Sequence, residues 1–256
     1  MPTSPNRWIV RLVPGGPAHV RLVCIPHAGG GTAAFRALAD SMREEIEVCV
    51  ALLPAREGRR REPVERDMSR VVDSLVAALD EQPDLPCALL GHCYGAYTAF
   101  ELARRLEALN RPPVRVFACA APGPAVAPRE LGIHRLPAGE FIGFLRRQGV
   151  TPEAVLADPS VFEIFEPAIR ADFELFETCP YRPDRPLDAP ITVIGARDDA
   201  SVEFDSMLDW RRETGAGFTF RLLGGDHAFF AKETPAIAHG IASDLIDRQG
   251  RLLTRG

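Results

Sequence analysis

The feature that most constrains this chain is the pentapeptide Gly91-His92-Cys93-Tyr94-Gly95, which lies between an apolar run and a helical pattern. Cys87–Leu90 has the character of a short buried strand, and Ala96–Leu106 has the apolar spacing of a helix. A sharp strand-to-helix turn forces strained backbone angles and leaves no room for side chains two residues before and after its centre. The pentapeptide therefore predicts a turn that lifts Cys93 above the carboxyl edge of a sheet. The positive end of the following helix would favour the reactive thiolate.

Apolar runs that end in turn residues alternate with helical segments along most of the chain. The predicted strands are Val20–Ile25, Glu47–Leu53, Cys87–Leu90, Val114–Ala120, Ile191–Ile194 and Phe218–Leu223. The predicted helices are Ala33–Met42, Met68–Leu79, Ala96–Leu106, Met207–Glu213 and Ala236–Asp247. This alternation indicates an α/β fold, with a mostly parallel sheet and helices on both faces. We expect residues 1–256 to form a single domain.

One stretch interrupts the alternation, because only helical patterns occur from about Leu131 to Glu177. Helices that come between two strands near the carboxyl edge of a sheet indicate an inserted helical lid, which we expect at about residues 131–180. Ordinary crossover helices are the alternative interpretation.

Composition excludes several classes of function. A formal net charge of −5 argues against general nucleic-acid binding. No apolar run is long enough to span a bilayer, and the N-terminus lacks the pattern of a signal peptide, so we expect a cytoplasmic protein. The six cysteines have no CxxC or metal-ligand spacing, so neither a disulfide framework nor a metal site is expected. Four of them, Cys24, Cys49, Cys87 and Cys119, are predicted to be reduced core thiols. We also expect a monomer.

A nucleophile at such a turn requires a base and an orienting acid, which this kind of sheet supplies after later strands. His227 follows the predicted strand Phe218–Leu223 in a glycine-rich loop and is the predicted base. Asp199 and Asp198 both follow Ile191–Ile194, and we favour Asp199 as the acid. Asp226, next to His227, is interpreted as a loop-capping residue.

The backbone N–H of Tyr94, directly after Cys93, is one predicted donor to a developing oxyanion. The loop Pro26–Gly31 follows the first predicted strand and would supply the second donor, Ala28. A phosphate-binding turn is the weaker interpretation of this loop, because no GxxxxGK[ST] or GxGxxG pattern follows. His27 and His92 are expected to be structural rather than catalytic.

Taken together, these residues resemble the type II thioesterases of polyketide and nonribosomal peptide biosynthesis, which have the α/β-hydrolase fold. The similar segments run nearly end to end. They are CIPHAGGGTAAFRALAD, LLPAREGRR with Ala55 in place of a family glycine, GHCYGAYTAFELARRL, the lid with Arg-Ala-Asp at 170–172, and GGDHAFF. The chain departs from the family pattern at Cys93, where serine is usual.

The resemblance implies a trans-acting enzyme that releases acyl groups from the phosphopantetheine thioester of acyl or peptidyl carrier proteins. Cys93, His227 and Asp199 would form the triad through a Cys93 acyl-enzyme, with no cofactor. Because thioesters react readily with amines and thiols, acyl transfer or cyclisation onto such a nucleophile is a second interpretation. A cysteine hydrolase of the dienelactone type is a third, and a non-catalytic carrier-protein-binding module is a fourth.

Two groups of side chains can each be interpreted in two ways. Four arginines could bind an acidic carrier protein or its phosphate, although a solvated loop is the favoured interpretation; they are Arg56, Arg59, Arg60 and Arg61. Phenylalanines of the predicted lid would line an acyl tunnel or form the core of the lid; they are Phe141, Phe144, Phe162 and Phe165.

Overall fold

Seven strands form one sheet in the order β1-β3-β2-β4-β5-β6-β7 in the computed structural model, which describes residues 7–12, 18–128, 131–246 and 252–253. The strands are β1 (Ile9–Arg11), β2 (Val20–Ile25), β3 (Ile46–Ala51), β4 (Cys87–His92), β5 (Arg115–Cys119), β6 (Ile191–Ala196) and β7 (Phe218–Leu223). All neighbouring pairs are parallel except the edge pair β1 and β3. The six predicted strands are confirmed, whereas β1 was not predicted.

Nine α-helices occur in the described residues. They are α1 (Arg36–Ser41), α2 (Met68–Asp80), α3 (Gly95–Ala108), α4 (Ala138–Gln148), α5 (Glu153–Leu156), α6 (Pro159–Thr178), α7 (Phe204–Leu208), α8 (Phe229–Lys232) and α9 (Thr234–Asp244). Short 3₁₀ turns cover Thr32–Phe35, Glu57–Arg59, Ile133–Arg135 and Asp209–Glu213. The predicted helix Ala33–Met42 is thus part 3₁₀ turn and part α1. Residue 247, the predicted end of the last helix, lies outside the described residues.

The two faces of the sheet bury separate apolar clusters, because successive side chains of a strand point to opposite faces. Leu89 of β4 packs with α2 and α3 on one face. Its neighbours Ala88 and Leu90 pack with α1 and α9 on the other. Helices therefore cover both faces, and the predicted α/β-hydrolase fold is confirmed.

The helices α4, α5 and α6 come between β5 and β6 and contain a third apolar cluster. Helix α6 begins where the Asp158 side chain accepts a hydrogen bond from Ser160 N at 2.9 Å, and it continues through Pro167 to Thr178. Phe141 and Phe162 are buried in this cluster, which supports their interpretation as core residues of the segment. No strand occurs in its described residues, 131–178. The extent of the predicted lid, about residues 131–180, stays a prediction. The single domain over residues 1–256 also stays a prediction.

Among the described residues, no helix has both the length and the apolar character needed to cross a bilayer.

Two isoleucines, one buried and one exposed, test how much burial contributes to the free energy of unfolding. Ile191 of β6 is fully buried, whereas Ile164 of α6 is 64% exposed. We expect Ile191→Ala to lower the free energy of unfolding by about 2–5 kcal/mol, because it removes buried methylene groups and leaves a cavity. Ile164→Ala is the matched control and should change it by no more than about 0.5 kcal/mol. Urea unfolding of both variants measures the difference, and equal losses would contradict the assigned burial.

Candidate active site

The turn between β4 and α3 holds Cys93 in a strained backbone conformation. Its φ angle is +54°, in the left-handed region that non-glycine residues rarely adopt. A Cβ atom at Gly91 would lie 2.2 Å from Ala96 Cα, and one at Gly95 would lie 2.3 Å from the carbonyl oxygen of Ile25. Both positions therefore require glycine for the turn to close, as the sequence predicted.

Hydrogen bonds to the backbone hold Cys93 at the carboxyl edge of the sheet. Its N–H donates to the carbonyl oxygen of Cys119 at the end of β5, at 2.7 Å, and its own carbonyl accepts from Ala96 N at 3.0 Å. Cys93 is 7% exposed, so the surrounding elements cover it almost completely.

The loops after β6 and β7 bring an acid and a histidine together. Asp199 Oδ2 lies 2.8 Å from His227 Nδ1, and both side chains are buried. The other carboxylate oxygen of Asp199 accepts hydrogen bonds from the backbone N–H groups of Ser201 and Val202, at 2.8 and 3.2 Å. Asp198 is exposed. The structure thus places Asp199, rather than Asp198, against His227.

The surroundings of His227 favour its protonated form. Burial alone would lower the pKa of His227, but the hydrogen bond with Asp199 and the neighbouring Cys93 sulfur outweigh burial and raise that pKa to about 10. The Nε2 atom of His227 is buried and has no hydrogen-bond partner among the described residues, although the neighbouring Cys93 sulfur contributes to the raised pKa of His227. Contacts of this kind often tighten only when substrate binds.

The two predicted oxyanion donors face the same region. Within the described residues, the backbone N–H groups of Ala28 and Tyr94 donate no hydrogen bond. Both residues border the apolar cluster beneath α6, and both line a small cavity next to Gly95. The structure therefore leaves two N–H groups without an acceptor beside the turn that holds Cys93.

A larger cavity of about 630 Å³ is lined in part by the loop residues 27–31, and apolar side chains dominate its walls. Helix α6 contributes Phe165 and Ile169, and the segment after β7 contributes Ala228 and Phe230. Phe165 therefore faces this cavity, unlike Phe141 and Phe162, which belong to the core beneath α6.

Two further histidines are kept uncharged by the fold. Burial lowers the pKa of His27 to about 4, and it lowers the pKa of His92 well below the ordinary value. The rings of His27 and His92 lie edge to face, and His92 stacks on Phe230. Asp226 is exposed and accepts a hydrogen bond from Ala228 N at 3.1 Å, which is the capping contact expected of it.

The remaining cysteines include the four predicted core thiols. Burial is the main cause that raises the pKa of Cys24, Cys49 and Cys119, that of Cys49 to about 12. The structure buries all four predicted core thiols and leaves Cys179 partly exposed. No group of three or more metal-ligating side chains occurs in the described residues.

The favoured interpretation of the four arginines is wrong for two of them. Arg60 and Arg61 are exposed, but Arg56 and Arg59 are each only 6% exposed. Arg59 donates to the carbonyl oxygen of Leu52 at 2.6 Å, and its guanidinium lies over an aromatic ring. Composition alone predicts that a loop rich in charge is solvated, whereas here buried carbonyl and carboxylate groups pair with its guanidinium groups.

The contacts of two acidic residues were not predicted from the sequence. The Asp172 carboxylate accepts hydrogen bonds from Gly29 N and from the Arg56 guanidinium. The Glu57 carboxylate accepts from Thr32 N at 2.6 Å and from Thr32 Oγ1 at 2.9 Å. Both acidic residues stand in segments noted for their family resemblance, but only the structure shows what they touch.

The opposite pKa directions of the three histidines predict a distinctive titration. Because its pKa is raised, His227 should keep its imidazolium form until the pH rises through about 10, whereas His27 and His92 should be neutral at pH 6.5. Nitrogen-15 NMR of the imidazole rings, assigned with single His→Gln variants, measures this. Cys93→Ala should lower the pKa of His227, because it removes one of the groups that raise it. A neutral His227 at pH 6.5 would contradict the assignment.

Comparison with known proteins identifies the family of the chain. The family model described as "Thioesterase domain" matches residues 20–245. The gramicidin S biosynthesis protein GrsT of Aneurinibacillus migulanus is 36% identical over 225 residues, which cover 88% of each chain. The thioesterase PikA5 of Streptomyces venezuelae is 31% identical over 251 residues, which cover 97% of this chain and 87% of the relative.

Solved structures give the same result. The type II thioesterase BorB from the borrelidin biosynthetic cluster superposes with a TM-score of 0.85 at 31% identity, over 93% of this chain and 97% of BorB. The thioesterase RedJ from the prodiginine pathway of Streptomyces coelicolor has a TM-score of 0.84 at 29% identity, over 91% and 94% of the two chains. The resemblance found in the sequence is thus confirmed, and the chain belongs to the thioesterase family.

Proposed function

We propose that this protein is a type II thioesterase that acts in trans on acyl groups carried by acyl or peptidyl carrier proteins of polyketide or nonribosomal peptide biosynthesis. The observation that carries the proposal is the position of Cys93 on a strained turn beside the hydrogen-bonded pair of His227 and Asp199. The names of two relatives support the biosynthetic context of this proposal, because GrsT is named for gramicidin S biosynthesis and BorB comes from the borrelidin biosynthetic cluster.

Acylation follows from the charge state of the site. A protonated His227 stabilises a Cys93 thiolate, whose sulfur attacks the carbonyl carbon of the carrier-bound thioester. The backbone N–H groups of Ala28 and Tyr94 donate to the oxyanion that forms. The bond between the carbonyl carbon and the carrier sulfur then breaks, and the departing thiolate takes the proton from His227 Nε2. The product is an acyl thioester on Cys93.

Deacylation uses the same residues in reverse. The now neutral His227 takes a proton from a water molecule, and the hydroxide attacks the acyl carbon of the Cys93 thioester. The same two N–H groups stabilise the second oxyanion. Collapse of this tetrahedral intermediate releases the free acid and restores the Cys93 thiolate opposite protonated His227. Asp199 keeps the imidazole in one orientation throughout.

The cavity of about 630 Å³ beside the loop Pro26–Gly31 is the acyl site of this proposal, because Ala28, the proposed oxyanion donor, and His92, the neighbour of Cys93, both line it. Its apolar walls suit a hydrocarbon or modestly substituted chain, and the cavity lies within the size range of small-molecule sites. Because α6 contributes Phe165 and Ile169 to the wall, movement of that helix would admit the carrier's pantetheine arm. A monomeric, cytoplasmic enzyme without a cofactor is part of the same proposal.

Cysteine at position 93 favours a second reaction of the acyl group besides hydrolysis. The acyl-enzyme is itself a thioester, and thioesters react readily with amines as well as with water. Transfer to an amine is therefore the second candidate reaction of this site. Product analysis by mass spectrometry, with and without added amine, separates the two, and exclusive formation of the free acid would contradict the transfer reaction.

Two neighbouring aspartates provide a matched test of the acid. Asp199→Asn should lower kcat by about 10⁴-fold, because the amide no longer stabilises the imidazolium or fixes its tautomer. Asp198→Asn should leave kcat within about twofold, since surface changes away from a site have small effects. Hydrolysis of an acyl carrier-protein thioester measures both variants. Equal effects of the two substitutions would contradict the role of Asp199.

The nucleophile is tested with a second cysteine as control. Cys93→Ala should reduce kcat by at least about 10³-fold, because no covalent intermediate can form. Cys93→Ser should retain part of the activity, since the base and oxyanion donors are unchanged. Cys179→Ser, at a partly exposed thiol away from the site, should behave as the unmodified protein does. Hydrolysis by Cys93→Ala at the unmodified rate would contradict the proposed function.

A further inference from the structure

Two segments that resemble the family, yet have no part in the steps above, meet in the structure. Arg56 belongs to LLPAREGRR after β3, and Asp172 belongs to Arg-Ala-Asp in α6. Arg56 Nη1 lies 2.8 Å from Asp172 Oδ2, and Arg56 Nη2 lies 2.8 Å from Asp172 Oδ1. The pair is therefore bidentate, and its side chains are only 6% and 10% exposed. Such geometry combines charge with a fixed orientation.

The same two side chains also hold the backbone of the loop Pro26–Gly31. Asp172 Oδ2 accepts a hydrogen bond from Gly29 N at 2.7 Å. Arg56 Nη1 donates to the carbonyl oxygen of Gly30 at 3.0 Å. These contacts fix the two residues directly after Ala28, whose N–H is the proposed oxyanion donor.

The two partners are anchored on different parts of the fold. Arg56 Nε donates to the carbonyl oxygen of Pro54 at 3.2 Å, which holds the guanidinium next to the end of β3. Asp172 is carried by α6. If α6 moved away from the sheet, Gly29 N would lose its acceptor, whereas Arg56 would keep its contacts with Pro54 and Gly30.

Direct packing connects the same helix and loop. Gly29 has a φ angle of +75°, and a Cβ atom there would lie 2.4 Å from Ile169 Cγ1 of α6. The helix thus rests on the loop backbone at the residue whose N–H also donates to Asp172. Packing and hydrogen bonding therefore connect the position of α6 to the conformation of the loop.

We propose that Arg56 and Asp172 are positioning residues that orient the Ala28 N–H toward the acyl oxyanion only while α6 is packed on the loop. This inference rests on the proposed function, because it assigns Ala28 as a donor. Closure of α6 over a bound acyl group would then complete the oxyanion site. Chemistry would be slow until the acyl group is enclosed.

The test separates positioning from general stability. Asp172→Asn keeps the shape of the side chain but loses its charge, and Arg56→Lys keeps the charge but cannot reach all of the arginine's acceptors. The measurements are kcat and KM for a small soluble acyl thioester, the rate of Cys93 alkylation by iodoacetamide, and the Tm. Alkylation needs the thiolate but no oxyanion donor. Glu166→Gln, which disrupts the ion pair with Arg170 on the same helix, is the matched control.

Each single variant should lower kcat by about 10–100-fold, as expected for a displaced transition-state donor, with KM and the alkylation rate within about threefold of the unmodified protein. The double variant should lose no more than the worse single variant, because both act through one loop. Glu166→Gln should retain kcat within about twofold.

An unchanged kcat in both single variants would overturn the inference, as would a parallel loss of kcat, alkylation and Tm, which indicates a purely structural pair. If Asp172→Asn does not fold, Arg56→Lys decides the outcome alone. Retained hydrolysis in Cys93→Ala would instead contradict the proposed function, so the two failures are distinguishable.

Discussion

The strained backbone of Cys93 is the constraint on which the rest of the site depends. Its positive φ angle is possible because Gly91 and Gly95 let the strand, the turn and α3 approach to distances that no Cβ atom permits. The neighbouring strand holds the turn through the hydrogen bond from Cys93 N to Cys119 O. Strain of this kind persists only where the surrounding structure enforces it. The fold thus fixes the Cys93 sulfur at the carboxyl edge of the sheet, where the loops after β6 and β7 begin.

Much of this arrangement was predictable from local pattern. Parallel strands end at one edge, so residues that follow separate strands meet there even when they are distant in sequence. That rule brings Cys93, His227 and Asp199 together. The preference for Asp199 over Asp198 rested only on the sequence Asp199-Ala-Ser-Val, which resembles the Asp-Pro-x-Val turn that usually bears this acid. The structure adds the physical distinction, because one carboxylate is exposed and the other is buried against the imidazole.

Other features depended on contacts that no local pattern contains. Arg56 and Asp172 are separated by 116 residues in sequence, so local pattern predicts a solvated arginine until its partner in α6 is known. The edge strand β1 has only three residues, too few to show a period. Tertiary packing decided each of these cases.

In the proposed mechanism the acyl group passes through a covalent bond to Cys93. Acid quenching of the protein during turnover of an acyl carrier-protein thioester, followed by peptide mapping with mass spectrometry, tests it most directly. We expect the acyl mass to accumulate on the peptide that contains Cys93, while the partly exposed Cys179 stays unmodified. Continued turnover with the acyl group on any other residue, or on none, would contradict it.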